Sequence, residues 1–379
     1  LHHLISERRL AENTVRAYSA DITFLLNFLQ RCSVSDLKDV EISLIHRFLE
    51  YARKKKISHR SNSRRISALK GFFSYLVQID QATNNPFMWF VIDSQYIDGS
   101  QTYLAETLRS FGVEVTELHA ERNPGFGGLH PEPIPPHIKE AQDFVREHEL
   151  DAAFITDGDA DRIGAADGRG QFVNPHRIIA LVARHLVEDR GMSGRIVKTL
   201  STSVLVDRLG AYLGSHVTTT PVGFKWIYEE MVKGDVLIGG EESGGIGIPS
   251  HVRERDGLLM ALLLAEMMGQ RGMGLGELVE GLLAVTGPME YGRVDLRLEP
   301  AVKDAFVARM PEMSPSVLAG LEVLKIVRID GIKFFLPDDA WLLLRTSGTE
   351  PLVRVYAEAL NFGVVDDLLA AGRMLVQAP

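Results

Sequence analysis

The amino-acid sequence predicts an α/β protein preceded by a small all-α helical bundle, and three observations predict it. From residue 88 onward, short apolar runs alternate with segments whose apolar residues recur at helical spacing, the rhythm of strands joined by crossover helices. Before residue 88 only the helical period is present. The charge divides at the same place. Residues 1–87 hold 14 of the 41 Lys+Arg and 8 of the 50 Asp+Glu, a net of +6; the remainder holds 41 − 14 = 27 and 50 − 8 = 42, a net of −15, and the two sum to −9. A basic head on an acidic body implies two modules with different partners.

At about 100–200 residues per domain, 379 residues correspond to two to four domains. The longest apolar run, Leu258 to Ala265, ends at Glu266 and is too short to cross a bilayer, so no membrane partner is expected. The first residues do not read as a signal peptide, and the lone Cys32 offers neither an internal disulfide nor a zinc motif. Both point to a cytoplasmic setting. Oligomeric state is not encoded in any motif.

The helical head reads as three helices. One opens at Ala11-Glu12-Asn13-Thr14, a second covers Ile42 to Lys54, and a third runs from Ser61 to Val77, with Asn84-Asn85-Pro86 as the stop. Basic residues gather around the second connection and the start of the third helix, among them Lys54, Lys55, Arg60, Arg64 and Arg65, with few acids between them. That cluster suits the phosphate backbone of duplex DNA. The stretches Asn13-Thr14-Val15-Arg16-Ala17-Tyr18 and Arg60-Ser61-Asn62-Ser63-Arg64-Arg65-Ile66-Ser67-Ala68-Leu69-Lys70, closed by Asn85-Pro86-Phe87, resemble the N-terminal core-binding (SAM-like) domain of Xer-type tyrosine recombinases. The resemblance implies DNA binding. The catalytic domain that would follow in that family does not follow here, so recombination chemistry is not carried over.

Beyond the head, strands are expected at Trp89–Asp93 and Val113–Leu118, with a helix over Tyr103–Phe111 between them. A Pro/Gly-rich loop (123–136) and a helix over Ile138–His148 then lead into an apolar strand at Ala152–Ile155. The pattern resumes with strand Arg195–Leu200, helix Ser203–Leu213, strand His216–Thr220, helix Trp226–Val232, strand Val236–Ile238 and helix Gly257–Met268. Val285-Thr286-Gly287-Pro288 reads as a boundary. After it come strand Arg293–Leu298, helix Val302–Met310, strands around Val323–Ile329 and Lys333–Leu336, and a final helix over Val364–Leu375. The sheets are expected to be largely parallel.

Directly after the strand at 152–155 stands Thr156-Asp157-Gly158-Asp159-Ala160-Asp161-Arg162. Alternate side chains of an extended segment point the same way, which brings Asp157, Asp159 and Asp161 together. Three converging carboxylates call for a cation, and oxygen ligands without Cys or His favour Mg2+ or Ca2+ over zinc. An EF-hand would need Gly sixth and Glu twelfth; counted from Asp157 those places hold Arg162 and Gly168. A solvated acidic turn is the bland alternative. Arg162 places a fixed positive charge beside the site, suited to a phosphate.

Three more loops carry chemistry. In Gly239-Gly240-Glu241-Glu242-Ser243-Gly244-Gly245, Glu241 and Ser243 are spaced to meet the hydroxyls of a polyol. In Arg345-Thr346-Ser347-Gly348-Thr349-Glu350-Pro351, Arg345, Ser347, Thr349 and the amides around Gly348 form a phosphate cradle, with Arg354 nearby. In Thr220-Pro221-Val222-Gly223-Phe224-Lys225, a helix start at Gly223 together with Lys225 favours an anion.

The metal, sugar and phosphate loops, in this order, resemble those of the α-D-phosphohexomutases, the phosphoglucomutase and phosphomannomutase family, over residues 88–379. The resemblance implies two consecutive three-layer α/β/α domains plus a C-terminal α+β domain: 1–87 as the helical head, 88–190 as an N-terminally truncated domain II with the metal loop, 191–287 as domain III with the sugar loop, and 288–379 as domain IV with the phosphate loop. It implies Mg2+ on Asp157, Asp159 and Asp161. It also implies substrate contacts from Gly223, Lys225, Glu241, Ser243, Arg345, Ser347, Gly348 and Thr349, with Arg162 in support. The activity implied is interconversion of hexose 1-phosphate and 6-phosphate through a phosphoserine and a bisphosphate, and the loops do not separate glucose from mannose. The family carries its phosphoserine on a Thr-x-Ser-His-Asn-Pro type loop in its first domain. The Ser-His pairs here, Ser58-His59, Ser215-His216 and Ser250-His251, are followed by Arg60, Val217 and Val252. No catalytic nucleophile is therefore identified, and an intact half-site with little turnover is expected. The junction near Pro86-Phe87-Met88 reads as a chimeric join between two truncated proteins.

Overall fold

In the computed structural model of the protein the described residues are 12–31, scattered positions from 32 to 82, 89–94, 102–121, 123, 125–347 and 351–378. They form two compact units, Leu1–Val173 with Gly257–Leu278, and Asn174–Asp256 with Val279–Pro379.

In the first unit the head contributes helix α1 (Glu12–Arg31) and helical positions within the two further helices expected from the sequence. Leu25, Leu29, Ile45, Phe48, Leu69 and Phe73 form its core. Most of the basic cluster, Lys54, Lys55, Arg60 and Arg64 included, lies outside the described residues. Arg65 is described and corrects the expectation of a DNA contact: it is 7% exposed, its Nε donates to Asp21 Oδ1 at 3.2 Å, and its guanidinium lies 4.4 Å over the Phe24 ring. A cation withdrawn this far needs a carboxylate and an aromatic face to offset its lost hydration.

The sheet of this unit holds β1 (Trp89–Asp93), β2 (Glu114–Leu118), β3 (Ala152–Thr156), β4 (Ile163–Asp167) and β5 (Phe172–Val173), in the order β2-β1-β3-β4-β5. Pairings β1–β2 and β1–β3 are parallel, while β3–β4 and β4–β5 are antiparallel. The sheet is thus mixed rather than largely parallel, because the short turn at 157–162 folds β4 straight back on β3. Helix α2 (Thr102–Ser110) connects β1 to β2, and α3 (Lys139–Glu147) precedes β3. Ala153 and Ile155 pack with Ile138, Ala141 and Val145 of the α3 side. The intervening Ala152 and Phe154 are equally buried, as expected of a strand covered on both faces.

The second unit opens with α4 (Pro175–Glu188), followed by β6 (Arg195–Thr199), α5 (Leu205–Leu213), β7 (Val217–Thr220), α6 (Phe224–Lys233), β8 (Val236–Gly240) and β9 (Ile246–Gly247). Its sheet runs β7-β6-β8-β9, parallel except at β8–β9. Two glycines show the three layers. A Cβ at Gly239 would meet Ile227 of α6 at 2.4 Å, and one at the next residue, Gly240, would meet Ile179 of α4 at 2.6 Å. Helix α7 (Gly257–Arg271) then belongs to the first unit, packing on β3 and β4, and α8 (Leu275–Thr286) follows.

The C-terminal part is an antiparallel sheet, β10-β16-β15-β14-β13, built from β10 (Glu290–Arg297), β13 (Lys325–Val327), β14 (Ile332–Phe335), β15 (Trp341–Thr346) and β16 (Leu352–Ala359). Helix α9 (Pro300–Arg309) and a small ribbon, β11 (Val317–Leu318) with β12 (Leu321–Glu322), lie between its strands, and α10 (Phe362–Gln377) closes the chain. Val353, Val355 and Ala357 pack with Val365, Leu368 and Val376 of α10. On the other face Trp341, Leu343 and Tyr356 enclose Leu200, from the segment after β6.

Candidate functional site

The three aspartates lie on a turn, not on the extended segment expected from the alternation. β3 ends at Thr156, the chain reverses through 157–161 with Ala160 at φ 59°, and β4 begins at Ile163. One carboxylate oxygen from each of Asp157, Asp159 and Asp161 lies within 4.8 Å of the others. Two neighbours hold the turn in place. A Cβ at Gly158 would stand 2.7 Å from the Phe126 ring, and the first residue of α7, Gly257, donates its N–H to Ala160 O at 3.0 Å.

Asp157 is fully buried, and burial pushes its carboxyl above the usual range, while Arg162 pulls the other way. The Arg162 N–H donates to Asp157 Oδ1 at 3.0 Å and its Nε to Oδ2. The same guanidinium lies 3.7 Å from Asp161 and 3.8 Å from Glu132. Arg162 therefore serves as counter-charge to the carboxylates, rather than standing apart as a phosphate donor. Clustered hard oxygen donors, one of them buried, fit a divalent cation such as Mg2+.

In the second unit β8 ends at Gly240 and the sugar loop begins at Glu241, which is 6% exposed. Its Oε1 accepts from the Gly223 N–H at 3.0 Å. Burial, with a contribution from Glu242, raises the Glu241 pKa to about 7. Glu242 turns to other partners, accepting from Ser201 Oγ at 2.5 Å and Thr199 Oγ1 at 3.2 Å. Ser243 is half-buried in the same turn. Gly223, at φ 125°, caps α6, and its N–H is taken by the Glu241 carboxyl. Lys225, its ammonium 4.7 Å over the Trp226 ring, lines a cavity of about 530 Å3 with Phe224, Tyr228, Glu254 and Arg255.

At the phosphate loop, β15 delivers Arg345, and Ser347 follows directly after the strand. Arg345 Nε donates to Asp330 Oδ2 at 2.8 Å. Ser347 is buried, its N–H donates to Leu352 O at 3.0 Å, and its carbonyl accepts from Lys303 Nζ at 2.9 Å. Gly348 and Thr349 lie outside the described residues. Arg354, pairing with Arg345 in the β15–β16 register, stands 3.5 Å from Asp295.

Three models of the phosphoglucomutase/phosphomannomutase family match in chain order: alpha/beta/alpha domain II over residues 70–170, alpha/beta/alpha domain III over 174–285, and the C-terminal domain over 301–369. A crystal structure from Thermus thermophilus assigned as a phosphomannomutase superposes with a TM-score of 0.66 at 32% identity, covering 85% of this chain and 72% of that one. The chain belongs to the phosphohexomutase family.

A phosphoglucomutase/phosphomannomutase of Thermococcus kodakarensis is 32% identical over 292 residues, 77% of this chain and 61% of that protein. A phosphoglucosamine mutase of Oceanobacillus iheyensis is 31% identical over 303 residues, 76% of this chain and 61% of its own. The chain thus spans less than two thirds of the length of these phosphohexomutases. Residues 1–79 match a different model, the phage integrase N-terminal SAM-like domain, which overlaps the domain II match at 70–79.

The sequence motifs singled out the three loops but not the residues that hold them. Asp330 was legible only as part of an Asp-Gly turn, and Glu242 lay inside a quoted motif without a partner in sight. Thr199 and Ser201 sit at a strand end where nothing in the local pattern distinguishes a ligand from a turn residue.

Proposed function

We propose that this chain binds a hexose phosphate together with Mg2+ in the manner of the phosphohexomutases. The convergence of the Asp157, Asp159 and Asp161 oxygens within 4.8 Å carries this reading. These residues would hold the ion, which, when bound, supplies charge neutralisation to a phosphoryl group. Glu241 and Ser243 meet sugar hydroxyls. Arg345, Ser347, Gly348 and Thr349 grip the phosphate that does not react, and Gly223 and Lys225 border the same substrate. Arg162 balances the aspartates.

The reaction of the family interconverts hexose 1-phosphate and 6-phosphate and draws on a phosphoserine. No Thr-x-Ser-His-Asn-Pro stretch occurs in the 379 residues, so binding is expected to outlast turnover. A coupled assay of glucose 1-phosphate conversion, primed with glucose 1,6-bisphosphate, tests this. Robust formation of glucose 6-phosphate would overturn the expectation of a missing donor.

The match of residues 1–79 to a phage integrase SAM-like domain supports a second activity, duplex DNA binding by the head. Salt-dependent retardation of duplex DNA by the full chain is the expected result. No retardation at low salt would remove this reading.

A further inference from the structure

We propose that Asp330 is a positioning residue that couples the phosphate loop to the sugar loop; the proposal rests on the sugar-phosphate reading above. Asp330 stands in the turn between β13 and β14. Beside it, Gly331 has φ +86°, and a Cβ there would lie 2.3 Å from Leu344 O. The turn is therefore pressed against β15 at the residue before Arg345. One carboxylate oxygen of Asp330, Oδ2, accepts from Arg345 Nε at 2.8 Å and from the Val222 N–H at 3.0 Å. The next amide along the chain, Gly223 N–H, donates to Glu241 Oε1 at 3.0 Å. Two consecutive amides thus connect the carboxylate that orients the phosphate-gripping guanidinium to the carboxylate that meets the sugar. These contacts are shielded, with side-chain exposures of 18% for Arg345 and 26% for Asp330.

Binding Arg345 through Nε fixes the plane of its guanidinium and leaves the Nη groups for an anion. A hexose phosphate reaches from Arg345 to Glu241, so its affinity depends on the separation of the two. Inorganic phosphate depends on the phosphate loop alone. Loss of the Asp330 charge favours any phosphate on Coulombic grounds. Loss of the positioning contact disfavours most the ligand that spans both loops; for inorganic phosphate the lost negative charge offsets the freer Arg345 guanidinium. The two effects have opposite signs for the sugar ester.

The test uses the full chain and its Asp330→Ala and Asp330→Asn variants. Inorganic phosphate and glucose 6-phosphate are titrated by calorimetry, and amide exchange at Val222 and Gly223 is followed without ligand. Asp330→Ala is expected to bind glucose 6-phosphate about tenfold more weakly, within the range of couplings between contacting residues. It should bind inorganic phosphate at least as tightly as the unmodified chain. Asp330→Asn, whose amide oxygen can still accept from Val222, should fall between. Exchange at Val222 and Gly223 should rise together in Asp330→Ala. Equal affinities for both ligands in all three proteins, a loss of the same factor for both, or exchange rising at Val222 alone would overturn the coupling. If the unmodified chain bound neither ligand, the sugar-phosphate reading would fall. The exchange pair would then decide the coupling by itself: joint deprotection supports it and deprotection of Val222 alone refutes it.

Discussion

The Gly257 N–H donates to Ala160 O at 3.0 Å, so the first residue of α7 anchors the turn that carries the three aspartates. There is no space for a side chain: a Cβ at Gly257 would lie 2.7 Å from Arg162 O and 2.8 Å from Ala160 O, both backbone atoms. Gly257→Ala should displace the turn, costing about 1–3 kcal/mol of stability and weakening Mg2+ binding. Gly269→Ala, later in the same helix and with nothing within 4 Å of its Cβ, should leave Mg2+ affinity unchanged. Mg2+ titrations and thermal melts of the two variants check this pair.

Glu241 titrates at about 7 because burial, reinforced by Glu242, disfavours its charged form. The folded state therefore holds a proton that the unfolded chain gives up near 4.5. Stability from this group is fully present below 4.5 and is lost as pH rises through about 7. Denaturant unfolding from pH 4.5 to 8 should show a decline on the order of 3 kcal/mol at most from this carboxyl. In Glu241→Gln that component should disappear.

Glu358 is buried, and its Oε2 accepts from Trp341 Nε1 at 2.5 Å and from the N–H of Val204 at 2.9 Å. Val204 is the N-cap of α5 and its side chain makes no cap hydrogen bond; Ser203 Oγ accepts from the Leu205 N–H at 2.9 Å, and the carboxylate from β16 takes the N–H of Val204. Glu358→Ala would strand the buried Trp341 Nε1 and the part-buried Val204 N–H, at about 1–3 kcal/mol for the buried donor and less for the other. Glu358→Gln, which keeps an acceptor, should lose less than half as much. Chemical denaturation measures both.

Arg65 is a structural cation inside the head, set between Asp21 and Phe24. Arg65→Ala should destabilise the head by about 3 kcal/mol, the cost of leaving one partner of a buried pair alone. Lost cooperativity in the melt of the full chain would report it. Unchanged melting combined with weakened DNA retardation would instead return Arg65 to the DNA surface.

Much of the fold was legible because strand-like runs such as Ala152–Ile155 and helical spacing such as that of Leu205–Leu213 are local signals. Helix α4 was not, since Ile178 to Ala183 form an unbroken apolar, fully buried run that leaves only Arg177, Arg184 and Glu188 to mark a polar stripe. β4, Ile-Gly-Ala-Ala-Asp, lacks the β-branched density that marks a strand. Alternation of Asp with Gly and Ala placed the three carboxylates together, but the geometry that gathers them is a reversal at Ala160, decided by the return of β4 onto β3. Basic residues around Arg65 read as a solvent-facing cluster because its partner Asp21 lies 44 residues away. The same distance problem hid Asp330, which meets Val222 only after the chain has folded.

The most direct test of the account is calorimetric titration of Mg2+ and glucose 1-phosphate into the full chain and into Asp159→Asn. Saturable binding of the sugar phosphate that depends on Mg2+, lost or weakened at least tenfold in Asp159→Asn, is the expected result. Folded protein that takes up neither ligand, or an Asp159→Asn variant that binds as tightly as the unmodified chain, would contradict it.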